Sequence, residues 1–175
     1  MIIIILYILL HYIHVYCIRD LKRSNEIVDI GHNLLPVLPS KFKFFPDLIC
    51  GLLFVVSLYL HRDHYSPLMW TLIVVFVLRT ITIQLTVLPP VKSYDCTNRH
   101  AIDCTQDYIF SGHFAKTVVC ILFILAAKPT LVVPMVSIGL VQAFFIIGLR
   151  NHYTIDVFIG ALVAYFVFSQ QKLRT

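Results

Sequence analysis

The chain has 175 residues, 59% of them hydrophobic and only 13% charged, and its mean hydropathy is +0.85. An average soluble domain is about half apolar and about a quarter charged, so a water-soluble globule is excluded and lipid must be the solvent for much of the chain. The formal charge of +5 comes from bases scattered over short loops without a continuous stripe; nucleic acid is therefore not the expected partner, and anionic headgroups and phosphate are.

Six apolar stretches follow in chain order, at roughly 1–18, 44–61, 68–88, 110–127, 130–149 and 152–168. A spanning helix needs about 20 residues. The third and fifth meet this directly, and the others need flanking residues, tilt or a thin bilayer. The expected fold class is all-α: a polytopic six-transmembrane-helix bundle in a single membrane-embedded domain, without internal repeat or low-complexity tract. The first stretch has no basic segment ahead of it and no small-residue cleavage site after it, so a retained helix is expected rather than a signal peptide. His11 and His14 on that helix are three apart and share a face, where packing or interface roles are expected rather than ligation.

Six spans place both termini on one side, with the short connections His61 to Pro67 and Lys128 to Pro129. The longer connections, Arg19 to Lys43 and Pro89 to Ile109, lie on the other side with Arg150. Irregular polar backbone has to stay outside the hydrocarbon or inside a protein cavity, so a site on these loops sits at the headgroup level. Cys96 and Cys104, eight apart in the second loop, could close a short disulfide in an oxidising compartment or remain free thiols. Cys17, Cys50 and Cys120 lie in or beside apolar helices as small packing residues. No cysteine or histidine spacing suits zinc; no metal and no cofactor is expected.

Three runs carry chemistry. The first, Asp107-Tyr-Ile-Phe-Ser111-Gly-His113, enters the fourth apolar stretch. Ser111 is a good N-cap, and Gly112 lets a ligand approach the backbone, so unpaired amides at the helix start could hold a phosphate beside His113. The second, Arg150-Asn-His152-Tyr-Thr-Ile-Asp156, opens the sixth stretch. His152 and Asp156 are four apart and share a helical face, so the carboxylate can hold one imidazole nitrogen while the other points at a substrate. An ionisable pair in an apolar segment is a functional candidate by default. The third run places Arg79, Thr82 and Thr86 three and four apart, as one polar stripe in a spanning helix that ends at Pro89-Pro90. Such a stripe is interhelical glue or the lining of a cavity.

Phosphoryl transfer between two alcohols needs a nucleophile, an acid for the leaving oxygen and cations for the phosphoryl oxygens. Each has a candidate here. His152 would be the nucleophile oriented by Asp156, His113 the acid and later the base, and Arg79, Lys116 or Arg150 the charge clamp. Asp107, Ser111, Gly112 and Tyr153 complete the expected substrate-binding set.

"RTITIQLTVLP", "DYIFSGH" and "HYTIDV" occur in this order, with a weaker match at Pro36-Val-Leu-Pro39. Together they resemble the sphingomyelin synthase family, a branch of the lipid phosphatase and phosphotransferase superfamily, over roughly residues 32 to 168. The resemblance implies a triad of His113, His152 and Asp156. It also implies transfer of phosphocholine or a related phospho-headgroup from a glycerophospholipid to ceramide, without a metal, through a covalent phosphohistidine. The chain departs from the family pattern at Cys104-Thr-Gln-Asp107, where Cys-Gly-Asp is usual, at Phe114 in place of threonine, and at Ala161 in place of tyrosine. These departures leave the triad intact and bear on headgroup choice.

No soluble domain precedes the first stretch, so the expectation is a minimal catalytic core. The rival functions are a lipid phosphatase, with water resolving the phosphohistidine, and a non-catalytic membrane scaffold or haem-binding bundle. The Arg-Pro motif of ordinary lipid phosphatases is absent, which favours the transferase. Lys and Arg are denser on the loops of the active-site side, and the positive-inside tendency places that side in the cytoplasm. Resemblance to the family implies instead the lumenal or exoplasmic face of an endomembrane or the plasma membrane.

Overall fold

The computed structural model describes residues 5, 6, 9, 29–86 and 108–172. Within them every regular element is helical. A short helix α1 (Ile30–Leu34) and a 3₁₀ turn (Ser40–Phe42) lead into α2 (Phe45–Leu60) and α3 (Ser66–Leu85). Then come α4 (Gly112–Ala127), a second 3₁₀ turn (Pro129–Leu131), α5 (Val132–Gly148) and α6 (Thr154–Lys172).

The starts of these helices follow from local chemistry. Proline stands in the first turns of α2 and α3, where its missing N–H would have had no helical partner anyway. The Ser111 side chain caps α4 by accepting from the Phe114 amide, as expected of an N-cap serine. Lys128-Pro129 ends α4, since proline pushes the preceding residue out of helical geometry.

Four helical stretches, Ser40–Leu60, Ser66–Leu85, Pro129–Gly148 and Thr154–Gln171, are long and apolar enough to cross a membrane, and Gly112–Ala127 is a shorter apolar helix. The six-span count is therefore not reproduced among the described residues. Most of the expected first span lies outside them, with its His11, His14 and Cys17, and so do Asp107, Cys96 and Cys104. The third span is also shorter than expected: the helix stops at Leu85, with Thr86 extended at its C-cap. Thr86 therefore drops out of the polar stripe, which is reduced to Arg79 and Thr82.

At 16 residues, α4 reaches only about 24 Å at 1.5 Å per residue. That length suffices because α4 is the central helix, packed against α2, α3, α5 and α6. Its Ala115, Val119 and Phe123 join Leu68, Leu72 and Phe76 of α3 and Ala164 and Val167 of α6 in one core. Cys120, Ile121 and Ile124 meet Leu53 of α2 in a second. Large apolar side chains face outward from the surrounding helices, among them Leu52, Tyr59, Val133, Leu140 and Phe166. An exposed apolar surface of this extent fits lipid rather than water.

The helices alternate in direction. At one end Asp47 of α2 meets His113 of α4, Thr82 of α3 reaches the carbonyl of Ile109, and the Ser111 amide donates to the carbonyl of Asp156 in α6. At the other end His61 reaches the carbonyl of Phe123, and Thr71 donates to Gln171. All three polar runs therefore gather at one end of the bundle.

The crossing of α4 and α6 at that end depends on Gly160. A Cβ there would lie 3.0 Å from the Ser111 carbonyl oxygen, a backbone atom that cannot give way. Gly160→Val is expected to lower the stability of the detergent-solubilised protein by about 1–3 kcal/mol through overpacking. Gly51→Ala, at an exposed glycine with open space around it, should cause no such loss; comparing the two thermal unfolding midpoints checks the difference.

Candidate functional site

Asp156, in the first turn of α6, is 1% exposed, and its carboxylate is saturated with donors. One oxygen accepts from the Ile109 amide at 2.9 Å. The other accepts from the Tyr153 amide at 3.1 Å and lies 3.3 Å from Nδ1 of His152. A buried carboxylate is tolerable only with such partners. The bond back to Tyr153 is half of a capping box, in which an acidic side chain at the third helical position satisfies the N-cap amide.

The expected His152–Asp156 pair is thus present, but its geometry differs from that of two residues on one helical face. The helix begins at Thr154, so His152 sits in the turn ahead of it and folds back onto the carboxylate. His152 is buried, with the Tyr108 ring edge-on at 5.9 Å. With Nδ1 facing Asp156, Nε2 is the ring nitrogen left for a substrate.

His113, the second residue of α4, is half exposed, and its Nε2 lies 2.7 Å from Oδ1 of Asp47 on α2. The end of α4 that carries it is fixed beside the dyad. The Ser111 amide donates to the Asp156 carbonyl at 3.0 Å, and Ile109 is held between the Asp156 carboxylate and the Thr82 hydroxyl, 2.7 Å from its carbonyl. Ile109 has φ of 58°, a strained value for a β-branched residue, which these bonds on both of its peptide groups maintain.

The expected cations separate. Arg79 is 2% exposed and lies against the first turn of α4: a Cβ on Gly112 would be 2.9 Å from its Nε and 3.1 Å from its Cζ. The group that closely approaches Gly112 is therefore this guanidinium. Lys116 is turned toward α2, with its ammonium 4.8 Å from the centroid of the Phe54 ring. Arg150 differs from the charge clamp expected of it. It is buried, and its guanidinium donates to the carbonyls of Ile147 at 3.3 Å, His32 at 2.8 Å and Leu35 at 3.0 Å. Those bonds make it a tether for backbone. Tyr153 is also buried, between Tyr108 and His32.

Sequence reasoning missed the segment that carries α1. Asp29 caps α1 through the His32 amide at 2.9 Å and grips α6 through the Thr154 amide at 2.8 Å and hydroxyl at 2.6 Å. His32 donates from Nε2 to the carbonyl of His152 at 3.0 Å. Asp29 was legible as an aspartate N-cap. Asp47 was legible as a carboxylate inside an apolar stretch. Their distant partners, Thr154 for Asp29 and His113 for Asp47, were not.

An all-α bundle with membrane-length helices and a buried His–Asp pair at one end is the class of protein these elements define. Residues 103–173 match the family model described as PAP2 superfamily C-terminal. The match covers less than half of the chain, takes in His113, His152 and Asp156, and supports the lipid phosphatase/phosphotransferase superfamily. No curated protein matches the chain.

Burial raises the pKa of Asp29, but the Thr154 hydroxyl, the His32 and Thr154 amides and the His32 charge together outweigh it and hold the carboxyl below its ordinary range. A depressed folded-state value stabilises the protein above the ordinary carboxyl value of about 4, and that contribution is lost as pH falls through the lowered value. Asp29→Asn should therefore be less stable than the parent at neutral pH, with a flatter loss of stability below about pH 4; acid titration of the unfolding midpoint in micelles measures both.

Proposed function

We propose that the chain transfers a phospho-headgroup between membrane lipids, with phosphocholine passing from a glycerophospholipid to ceramide as the leading case. The observation that carries this reading is the buried dyad: Asp156 is fixed by two backbone amides and orients His152 through Nδ1, leaving Nε2 as the nucleophile. The family match and the resemblance of "DYIFSGH" and "HYTIDV" to the sphingomyelin synthase motifs support the same assignment.

In the proposed reaction Nε2 of His152 attacks phosphorus and the bond to the glycerolipid oxygen breaks, while His113 gives that oxygen a proton and diacylglycerol leaves. The ceramide hydroxyl then loses its proton to His113 and its oxygen attacks the phosphohistidine, breaking the N–P bond. Arg79 and the first amides of α4 would neutralise the phosphoryl oxygens. The lumenal or exoplasmic face is the proposed location of this end of the bundle.

Liposomes containing purified protein and labelled phosphatidylcholine, with and without ceramide, test the proposal. Ceramide-dependent transfer of label is the expected result. Release of phosphocholine without ceramide would assign water as the acceptor, and no turnover of any phospholipid would leave a scaffold. Within the same assay His152→Ala should abolish both half-reactions. His113→Ala should slow transfer by about 10²- to 10⁴-fold yet retain labelling of His152 by a substrate whose leaving group needs no proton. Equal labelling of the two variants by that substrate would overturn the assigned roles.

A further inference from the structure

We infer that Asp47 is a positioning residue for His113: it holds Nε2 of the imidazole from a neighbouring helix, so that Nδ1 is the nitrogen presented to the leaving oxygen. The inference rests on the phosphotransfer role proposed for His113. Asp47 Oδ1 and His113 Nε2 are 2.7 Å apart, at the short end of the range for a charge-assisted hydrogen bond. The bond joins the first turn of α2 to the first turn of α4 across 66 residues of sequence.

The side chains of His113 and Asp47 are 50% and 69% exposed, and pairs so exposed add little to folding. The fold therefore does not depend on the bond. Asp47 is also the acidic residue of the membrane-length stretch Ser40–Leu60, whose other charged residues, Lys41 and Lys43, lie at the same end; a carboxylate in such a segment tends to serve function. Its place opposite the first turn of α4 sets a negative charge against the positive end of that helix.

Lys116, one turn along α4, also attracts the Asp47 carboxylate, but its ammonium lies over the Phe54 ring and the hydrogen bond goes to His113. The site then contains two His–carboxylate pairs of different character: a buried one that orients the nucleophile and an exposed one that orients the acid.

The test compares Asp47→Asn and Asp47→Glu with the parent chain in liposomes. Two donors are used, phosphatidylcholine with ceramide and p-nitrophenyl phosphocholine, whose phenolate leaves without protonation. Asp47→Asn should lower kcat for the lipid by roughly 10- to 100-fold, a typical range for loss of a group that orients a catalytic imidazole, with KM little changed. The loss in the first-turnover release of nitrophenolate from p-nitrophenyl phosphocholine, which needs no acid, should be much smaller, and Asp47→Glu should recover most of the lipid activity. Nitrogen-15 spectra of the histidine rings at a pH where they are neutral, with His113 assigned by its substitution, should show the Nε2–H form in the parent and a mixture of tautomers in Asp47→Asn. Unchanged lipid turnover, equal losses on both donors, or the same ring signature in parent and variant would each overturn the inference. A parent chain that turns over neither donor overturns the phosphotransfer reading instead, and the ring signature then decides the Asp47–His113 coupling by itself.

Discussion

A carboxylate removed from water has to find its donors within the protein, and at Asp156 those donors come from two separate stretches of chain. The Ile109 amide belongs to the approach to α4, while the Tyr153 amide and the His152 ring belong to the turn before α6. Satisfying one buried charge therefore fixes the two helix starts against each other. The Ser111 amide reinforces the junction through the main-chain carbonyl of the same residue. Without these bonds the carboxylate would carry its full desolvation penalty.

Around that junction the bundle is arranged so that α4 need not meet lipid along its length. Its small and branched side chains are buried by four neighbouring helices, and polar side chains on the neighbours bond its main chain, as Ser57 does at the Cys120 carbonyl. Such bonds suit a medium that offers the backbone no water. Gly160 and Gly112 allow two close approaches at the end that carries the dyad, one admitting the Ser111 carbonyl and the other the Arg79 guanidinium.

The turn that holds His152 is braced from behind. Arg150 binds three carbonyls, His32 reaches the carbonyl of His152, and Asp29 ties α1 to the first residue of α6. The positively charged side chain nearest to the dyad in sequence is thus spent on backbone, and the deeply buried Arg79 lies against the first turn of α4 instead. A planar guanidinium suits the task Arg150 performs, because it can satisfy several carbonyls at once, which an ammonium does less well.

Composition and pattern alone determined that the chain is an all-α membrane protein, because no soluble core could hide its apolar residues. The two motif runs likewise announced Ser111 as a helix cap and His152 with Asp156 as a pair, since capping and short-range pairing depend only on residues a few positions apart. Tertiary structure decided the rest. The His152–Asp156 pair closes through a turn rather than along a helix face, because α6 starts only at Thr154. Arg150 became a tether, and Asp47, 66 residues from His113, became its partner. Those outcomes depend on which helix ends are brought together, and a one-dimensional pattern of apolar stretches records their lengths but not their neighbours.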